Sequence, residues 1–466
     1  MRIVVLIYLL FLSLGSCVGQ SVSQDSVPKR DSTLGNFLRN GKFYGHGRYF
    51  FMATNNTVGL DDYFANAFGF GIGYETPRFK FLSVGVSGYF IANLGSSDLK
   101  SNDLLSGLPN RYEIGLFDIE NPNNYTNLSR LENLYLRVGN NNSFLKIGKQ
   151  HFNSPFVNPQ DGRMSPTFVD GIYSEWNSWK NWKFQNSLIW GILPRSTFRW
   201  YSVGNSMGIY PVGFNPDGSK SAYAGNIQSD WILVNGVEHH LQKSVNIQIW
   251  NQLVQNVFNT SLIQIDYNPI LYRKREISLV LGAQFINQNA IRSGGNSDQN
   301  KTFIPRNSQA QTYSFRIGIE KKKKWSGLIN FTHIGTKGRY LMPREWGVDP
   351  FYTFMPRERN EGLSDVNAIN IRFVSNVWSN KLRLGISLGR FFLPDVKNAQ
   401  ANKYAMPSYD HVNLDIQYQP GGYFRDFNLQ FLVVHKSSLG ETYGNMRYVH
   451  NKVDMTLFNV VLNFHF

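Results

Sequence analysis

The sequence predicts an all-β protein: a transmembrane antiparallel β-barrel, each strand turning one face to lipid and the other to a water-filled lumen. Three observations predict it. The last fourteen residues, 453–466, alternate strictly: Thr456, Phe458, Val460, Leu462, Phe464 and Phe466 share one face, opposite Leu457, Asn459, Val461, Asn463 and His465. Period-two alternation is the signature of a strand wet on one side only. Strand-like segments are joined by connections that are short and long in turn. Finally, only 17% of the residues are charged while 15% are aromatic. Beyond the N-terminus no run approaches the roughly 18 apolar residues of a membrane helix.

The first residues read as an export signal. Arg2 supplies the positive end, 3–14 are apolar, and Gly15, Ser16, Cys17, Val18 and Gly19 are mostly small. Cleavage after Gly19 is expected, making 1–19 a signal peptide, 20–38 a short periplasmic leader and 39–466 a single barrel. The rival reading lipidates Cys17, the one cysteine of the chain; either way the body has no disulfide and no thiolate metal site. The net charge of +15 falls to +14 when Arg2 leaves. With no basic helix and no nucleic-acid motif, that charge belongs to periplasmic turns, to loops or to the lumen.

Eighteen segments follow the strand pattern: 39–53, 63–75, 81–91, 129–138, 144–150, 172–178, 182–192, 230–240, 245–255, 261–267, 276–286, 311–320, 325–334, 366–374, 381–390, 409–419, 426–435 and 453–466. The even number returns both ends of the chain to the periplasmic side. In 63–75, Phe68, Phe70 and Ile72 oppose Ala67, Gly69, Gly71 and Gly73. Glycines along one face signal either a bulky neighbour lying across them or a bend. Trp176, Trp179 and Trp182 crowd one short turn, as aromatic rings do at a membrane boundary. The aromatic chain end resembles the closing strand of outer-membrane barrels.

Alternation turns Arg48, Tyr135, Arg137, Lys146, Lys183, Arg316, Arg372 and Arg383 inward, against fewer acids, Glu175, Glu320 and Asp415. A cationic wall lowers the cost of carrying an anion and concentrates anions at the mouth. Lys149 breaks the pattern: alternation sends it outward with Leu145 and Ile147, where lipid would cost a few kcal/mol. Either a bulge at Gly148 turns it inward or the strand stops short.

The stretch Ile147 to Pro155, IGKQHFNSP, followed by Asp161-Gly162-Arg163-Met164-Ser165-Pro166-Thr167-Phe168 and Gly171, resembles the OprD family of outer-membrane porins. Lys149 stands where that family usually has Arg. The resemblance implies an eighteen-stranded barrel whose long extracellular loops fold partly into the lumen. It also implies a basic path for small carboxylate-bearing solutes. The loop 151–171 is then a constriction element, with Arg163 as its cation and Pro155, Pro159 and Pro166 stiffening it, and Lys149 just before it is expected among the pore-lining residues. The competing reading of Arg163 is a pair with Asp161 or Asp170. The loop 335–365 mixes Arg344, Arg357 and Arg359 with Glu345, Asp349, Glu358 and Glu361, which favours self-pairing into an ordered lid.

Catalytic chemistry is not expected. The nine histidines make no zinc spacing, and there is no nucleophile elbow or phosphate loop, so no cofactor or metal is called for. Outer-membrane lipid and small solutes are the expected partners and nucleic acid is not; monomer or trimer is not legible. The alternative to a porin is a barrel with a plugged lumen that anchors surface polysaccharide.

Overall fold

A strand crossing hydrocarbon must find a hydrogen-bonding neighbour along both edges, because lipid offers none. The computed structural model, which describes residues 38–466 except 178 and 243, meets this demand by closure. The signal segment, Cys17 and the leader up to residue 37 lie outside the described residues. The first six strands are β1 (Lys42–Asn55), β2 (Tyr63–Glu75), β3 (Leu82–Ser96), β4 (Ser129–Gly139), β5 (Ser143–Gln150) and β6 (Phe168–Trp176). Then come β7 (Trp182–Leu193), β8 (Ile232–Leu241), β9 (Val245–Val254), β10 (Phe258–Tyr267), β11 (Ile277–Ala290) and β12 (Gln309–Lys321). The last six are β13 (Trp325–Ile334), β14 (Val366–Val377), β15 (Leu382–Phe392), β16 (Tyr409–Tyr418), β17 (Phe427–Ser438) and β18 (Met455–His465).

Each strand pairs antiparallel with the next, and β18 returns to β1 with His465 opposite His46 and Thr456 opposite Asn55. Eighteen strands therefore close one barrel. Two further pieces, Tyr201–Ser202 and Ile270–Tyr272, pair only at its rims. The chain end fastens the seam: Gly45 N donates to Phe466 O at 2.9 Å and Phe466 N donates to Gly45 O at 3.1 Å. Phe466 stacks near Phe464 and Phe70, and Phe464 packs on Phe427. No helix among the described residues is long and apolar enough to cross a membrane; the strands do so.

The outer face is an apolar band carrying Phe68, Phe70, Val84, Ile263, Ile317, Phe373 and Leu388, all exposed, as a lipid-facing wall requires. Eight connections at one end are turns of three to nine residues; nine at the other reach 38 residues. The glycine face of β2 is explained by its neighbours. Tyr89 of β3 lies across Gly69 and Gly71, where a Cβ would come within 2.3 Å of its hydroxyl and 2.5 Å of its ring, and Tyr44 of β1 lies across Gly73. Of the two readings of those glycines, the bulky neighbour is the one observed.

The inner face changes character along the barrel axis. In β1 the inward row runs Tyr44, His46, Arg48 from the turn end and then Phe50, Met52, Thr54. In β7 it runs Lys183, Gln185, Ser187 and then Ile189. The apolar half has a partner. Loop residues Phe152, Phe156, Met207, Ile227, Phe303, Leu341, Trp346 and Met355 pack with Ile189, Ile232, Val254, Leu262, Ile286 and Val366 into one buried cluster. The long loops thus form a folded body inside the loop-end half of the barrel, and the purely wet lumen that alternation implies holds only for the turn-end half.

Candidate functional site

Four loops converge where this body narrows the lumen: 97–128, 151–167, 194–231 and 335–365. Between them lies a cavity of about 90 Å³ lined by Arg111, Arg163, Arg195, Arg344, Arg357 and Arg359, with Tyr112, Tyr210, Phe354 and one carboxylate, Glu358. Its lining comes entirely from loops.

The strand wall positions these loops through backbone carbonyls. The loop 335–365 runs along the inner wall as a belt. Gln288 donates to Leu341 O (2.7 Å), Gln284 to Pro350 O (2.9 Å) and Asn370 to Thr353 O (2.8 Å). Arg372 donates to Phe354 O (2.7 Å) and Lys436 to Arg357 O (2.6 Å). Tyr352 donates to Asp266 at 2.8 Å, and its ring lies under the Arg316 guanidinium at 4.1 Å. Self-pairing, expected for this loop, is present between Arg344 and Glu361. It does not extend to Arg357 or Arg359. Across loops, Asn158 N donates to Trp346 O (2.8 Å), and the buried Trp346 indole donates to Ser206.

The loop 151–167 is held by Arg48. Its guanidinium grips both oxygens of Asp161, at 2.5 and 2.8 Å, and donates to Arg163 O (2.6 Å) and Asn463 (2.6 Å). Asp161 is therefore engaged by Arg48, and Asp170 is engaged by Lys149. Both acids that could have neutralised Arg163 are taken, and Arg163 faces the cavity. Its guanidinium donates to Gly162 O (2.8 Å), a carbonyl that Arg357 also approaches at 3.5 Å. Arg195 reaches the same place, since a Cβ at Gly162 would lie 3.7 Å from its Nη1. Among the described residues Arg163, Arg195, Arg357 and Arg359 form no ion pair. Arg195 Nε, Arg357 Nε and Arg359 Nη1 are buried without a hydrogen-bond partner.

Crowding like charges away from water disfavours ionisation. Burial, then Arg357 and Arg195, push the Arg163 guanidinium well below its ordinary value. Arg357 and Arg359 fall to about 10 for the same reasons, which still leaves them charged at neutral pH. Glu358 goes the other way: burial and then the nearby Asp349 raise its carboxyl to about 8.

The remaining residues singled out by sequence fall into three groups. Arg48, Arg316 and Arg372 brace loops. Tyr135, Arg137, Lys146 and Arg383 lie toward the turn end. There Lys146 sits 4.4 Å over the Tyr135 ring, Tyr135 donates to Glu75 (3.3 Å), Arg137 donates to Asn140 O (2.7 Å), and Arg383 pairs with Asp415 at 2.9 Å. Lys149 is the correction: it does not join the lumen. Gly148 adopts φ +114°, yet β5 continues to Gln150 and Lys149 stays opposite lipid-facing Leu134. An ion pair with Asp170 and the Trp200 ring 4.3 Å away make that outward position tolerable.

Arg111, Arg195 and the Arg344, Arg357, Arg359 trio were not picked out as lining residues from the sequence. Neither was Arg130, which donates to Pro166 O, Pro194 O and Thr197 O and so ties two loops to β4. The only signal in the loops was arginine beside aromatic or proline, as in Arg111-Tyr112 and Pro194-Arg195.

A closed strand barrel with a lipid-facing band, narrowed from within by folded loops, defines an outer-membrane porin. Residues 82–341 match the model of the OprD family of outer membrane porins, more than half of the chain, and the chain belongs to that family. No curated protein matches it in sequence. Among solved structures it is similar to Pseudomonas aeruginosa OpdK crystallised with vanillate (TM-score 0.70, 12% identity, covering 92% of this chain and 99% of that one). It is also similar to P. aeruginosa OccK9 (0.69, 12%, 92% and 99%) and OccK3 (0.65, 13%, 93% and 97%). It is a passive outer-membrane channel for small solutes and not an enzyme.

Proposed function

We propose that the channel passes small hydrophilic anions, carboxylate-bearing solutes foremost, through the arginine-lined narrowing. One observation carries this reading: six guanidiniums face a cavity that a single carboxylate shares with them, and that carboxylate is the one whose proton is held to about pH 8. A narrow, poorly hydrated passage favours the ion whose lost hydration its walls replace. Fixed guanidiniums replace that of a carboxylate, two N–H groups at a time. On the periplasmic side Arg137, Lys146, Arg316, Arg372 and Arg383 continue the positive lining, with Tyr135 as their apolar rest. OpdK, of similar fold, was crystallised with vanillate, itself a carboxylate. The test is a planar bilayer holding the mature protein under a salt gradient, then a panel of carboxylates. Reversal toward the anion potential is expected, with carboxylates altering the chloride current. A reversal potential at the cation side refutes it.

The apolar packing of the loop body favours one second reading, a barrel closed by its loops and serving as an anchor for surface polysaccharide. It requires absence of conductance together with glycan binding, so the same bilayer separates the two.

A further inference from the structure

The net charge is not where a channel for anions would put most of it. The eight turns at one end comprise 76–81, 140–142, 177–181, 242–244, 268–276, 322–324, 378–381 and 419–426. They carry twelve Lys and Arg against two acids, Glu276 and Asp426, a net of +10. The nine loops at the other end are over four times longer in total and carry a net of −1. Thus most of the positive excess of the chain is concentrated in a thin ring at the turn end, outside the lumen. Few of these cations have partners: Arg78 donates to Asn141 of the next turn and Arg425 lies 3.7 Å from Asp426, and neither holds a loop inside the barrel. Arg78, Lys80, Lys180, Arg273, Lys274, Arg275, Lys322, Lys323, Lys324, Lys381 and Arg425 are all exposed.

The same turns hold a second feature. Phe79, Phe81, Trp179, Leu271, Tyr272, Trp378, Tyr423 and Phe424 are exposed there, Trp179 at 69% and Trp378 at 70%, with exposed Trp176 beside them at the end of β6. Aromatic rings of this kind settle at headgroup depth, where an apolar body and a polar edge are both satisfied. The cations therefore stand one or two residues from rings that mark the headgroup layer: Phe79 with Lys80, Trp179 with Lys180, Tyr272 with Arg273, Phe424 with Arg425.

We propose that this ring is a binding surface for anionic phospholipid headgroups of the periplasmic leaflet, holding a selective annulus of phosphate-bearing lipid around the barrel. The attraction of a basic cluster to an anionic surface acts within a Debye length, which places the ring within reach of headgroups at its own depth. The loop end, with its slight negative excess, lacks that attraction. The asymmetry also fixes how deeply the turn end seats.

The test uses the full mature protein reconstituted in zwitterionic phosphatidylcholine, with its tryptophans, Trp179 and Trp378 included, as reporters. Brominated phosphatidylglycerol and brominated phosphatidylcholine are exchanged in at equal bromine content, and the relative binding constant is read from quenching. Phosphatidylglycerol should be preferred by roughly tenfold or more, and the preference should fall as salt rises. Replacing Arg273, Lys274, Arg275, Lys322, Lys323 and Lys324 by Gln together should abolish it, with single-channel conductance unchanged as proof of folding. If that variant does not fold, the salt titration of the native protein decides. Equal quenching by both lipids, a salt-independent preference, or a preference retained in the variant would overturn the proposal. So would binding to purified peptidoglycan that the variant loses while showing no lipid preference.

Discussion

The strand wall and the loop body both carry arginine, and they use it differently. Arg48, Arg130, Arg316 and Arg372 project from strands, and each turns its guanidinium on a loop carbonyl, carboxylate or ring. Arg163, Arg195, Arg357 and Arg359 project from loops, form no ion pair among the described residues, and line the cavity. The difference has a physical origin. A strand side chain is fixed in direction by the pleat, so a cation on it is well placed to hold something still. A loop drawn into the lumen can approach the axis, where a permeant ion travels, which no wall residue of a wide barrel reaches. On the proposed function the wall cations act as positioning residues and the loop cations as the selective ones.

The largest effect should follow from testing that division directly. Replacing Arg163, Arg357 and Arg359 by Gln should move the reversal potential under a salt gradient by on the order of tens of millivolts toward the cation side. The matched wall variant, Arg137 and Arg383 to Gln, should move it several-fold less. Equal shifts would erase the distinction and return the selectivity to the wall. Next in size is Arg48→Ala. It removes every side-chain bond that this wall residue makes to Asp161 and to the Arg163 carbonyl, so the loop 151–167 should loosen. A charge-assisted hydrogen bond contributes about 1.5–3 kcal/mol, and Asp161, half open to water, lies at the low end of that range. Higher and noisier single-channel conductance is expected, matched by Asp161→Ala. Currents as quiet as those of the native channel would show that the loop is held without this pair.

The same division marks what was legible in the sequence. All eighteen strands were readable, because lipid on one side imposes period two on each. The inward direction of Arg48 followed from that period. Its partner did not, since Asp161 lies 113 residues away on a segment with no period. Near the loop end the signal fades even in strands. In β7, Ile189, Ile192 and Leu193 are buried against folded loops and exposed Trp190 meets lipid, so both faces are apolar and alternation vanishes. Lys149 misled for a related reason: an outward lysine is forbidden by lipid alone, but Asp170 and Trp200 supply what lipid does not. Mixed charge in 335–365 pointed to self-pairing; only the fold reveals that Glu361 takes Arg344 and leaves Arg357 and Arg359 to the cavity.

The smallest effect sharpens the comparison by changing one charge within the loop body while leaving the wall as it is. Glu358 shares the cavity with the arginines, and its carboxyl titrates near 8 because burial and then Asp349 disfavour its anion. A carboxyl with a raised pKa is neutral below that value and charged above it. At pH 7 the narrowing therefore holds its arginines with little opposition. Between pH 7 and pH 9 one negative charge enters it, and the anion preference should decline by a few-fold at most, since the guanidiniums still outnumber it. Glu358→Gln should hold the preference at its pH 7 level across the same interval. Two buried lysines of neighbouring loops titrate nearby: Lys403 and Lys452 are lowered to about 7 by burial and lose positive charge as the pH rises. Their contribution is centred a unit lower and survives in the Glu358 variant, so the part of the pH profile that the substitution removes reports on the cavity carboxyl together with the Lys436 ammonium it interacts with. A profile identical in the two proteins would place Glu358 away from the ion path and limit the selective group to the arginines.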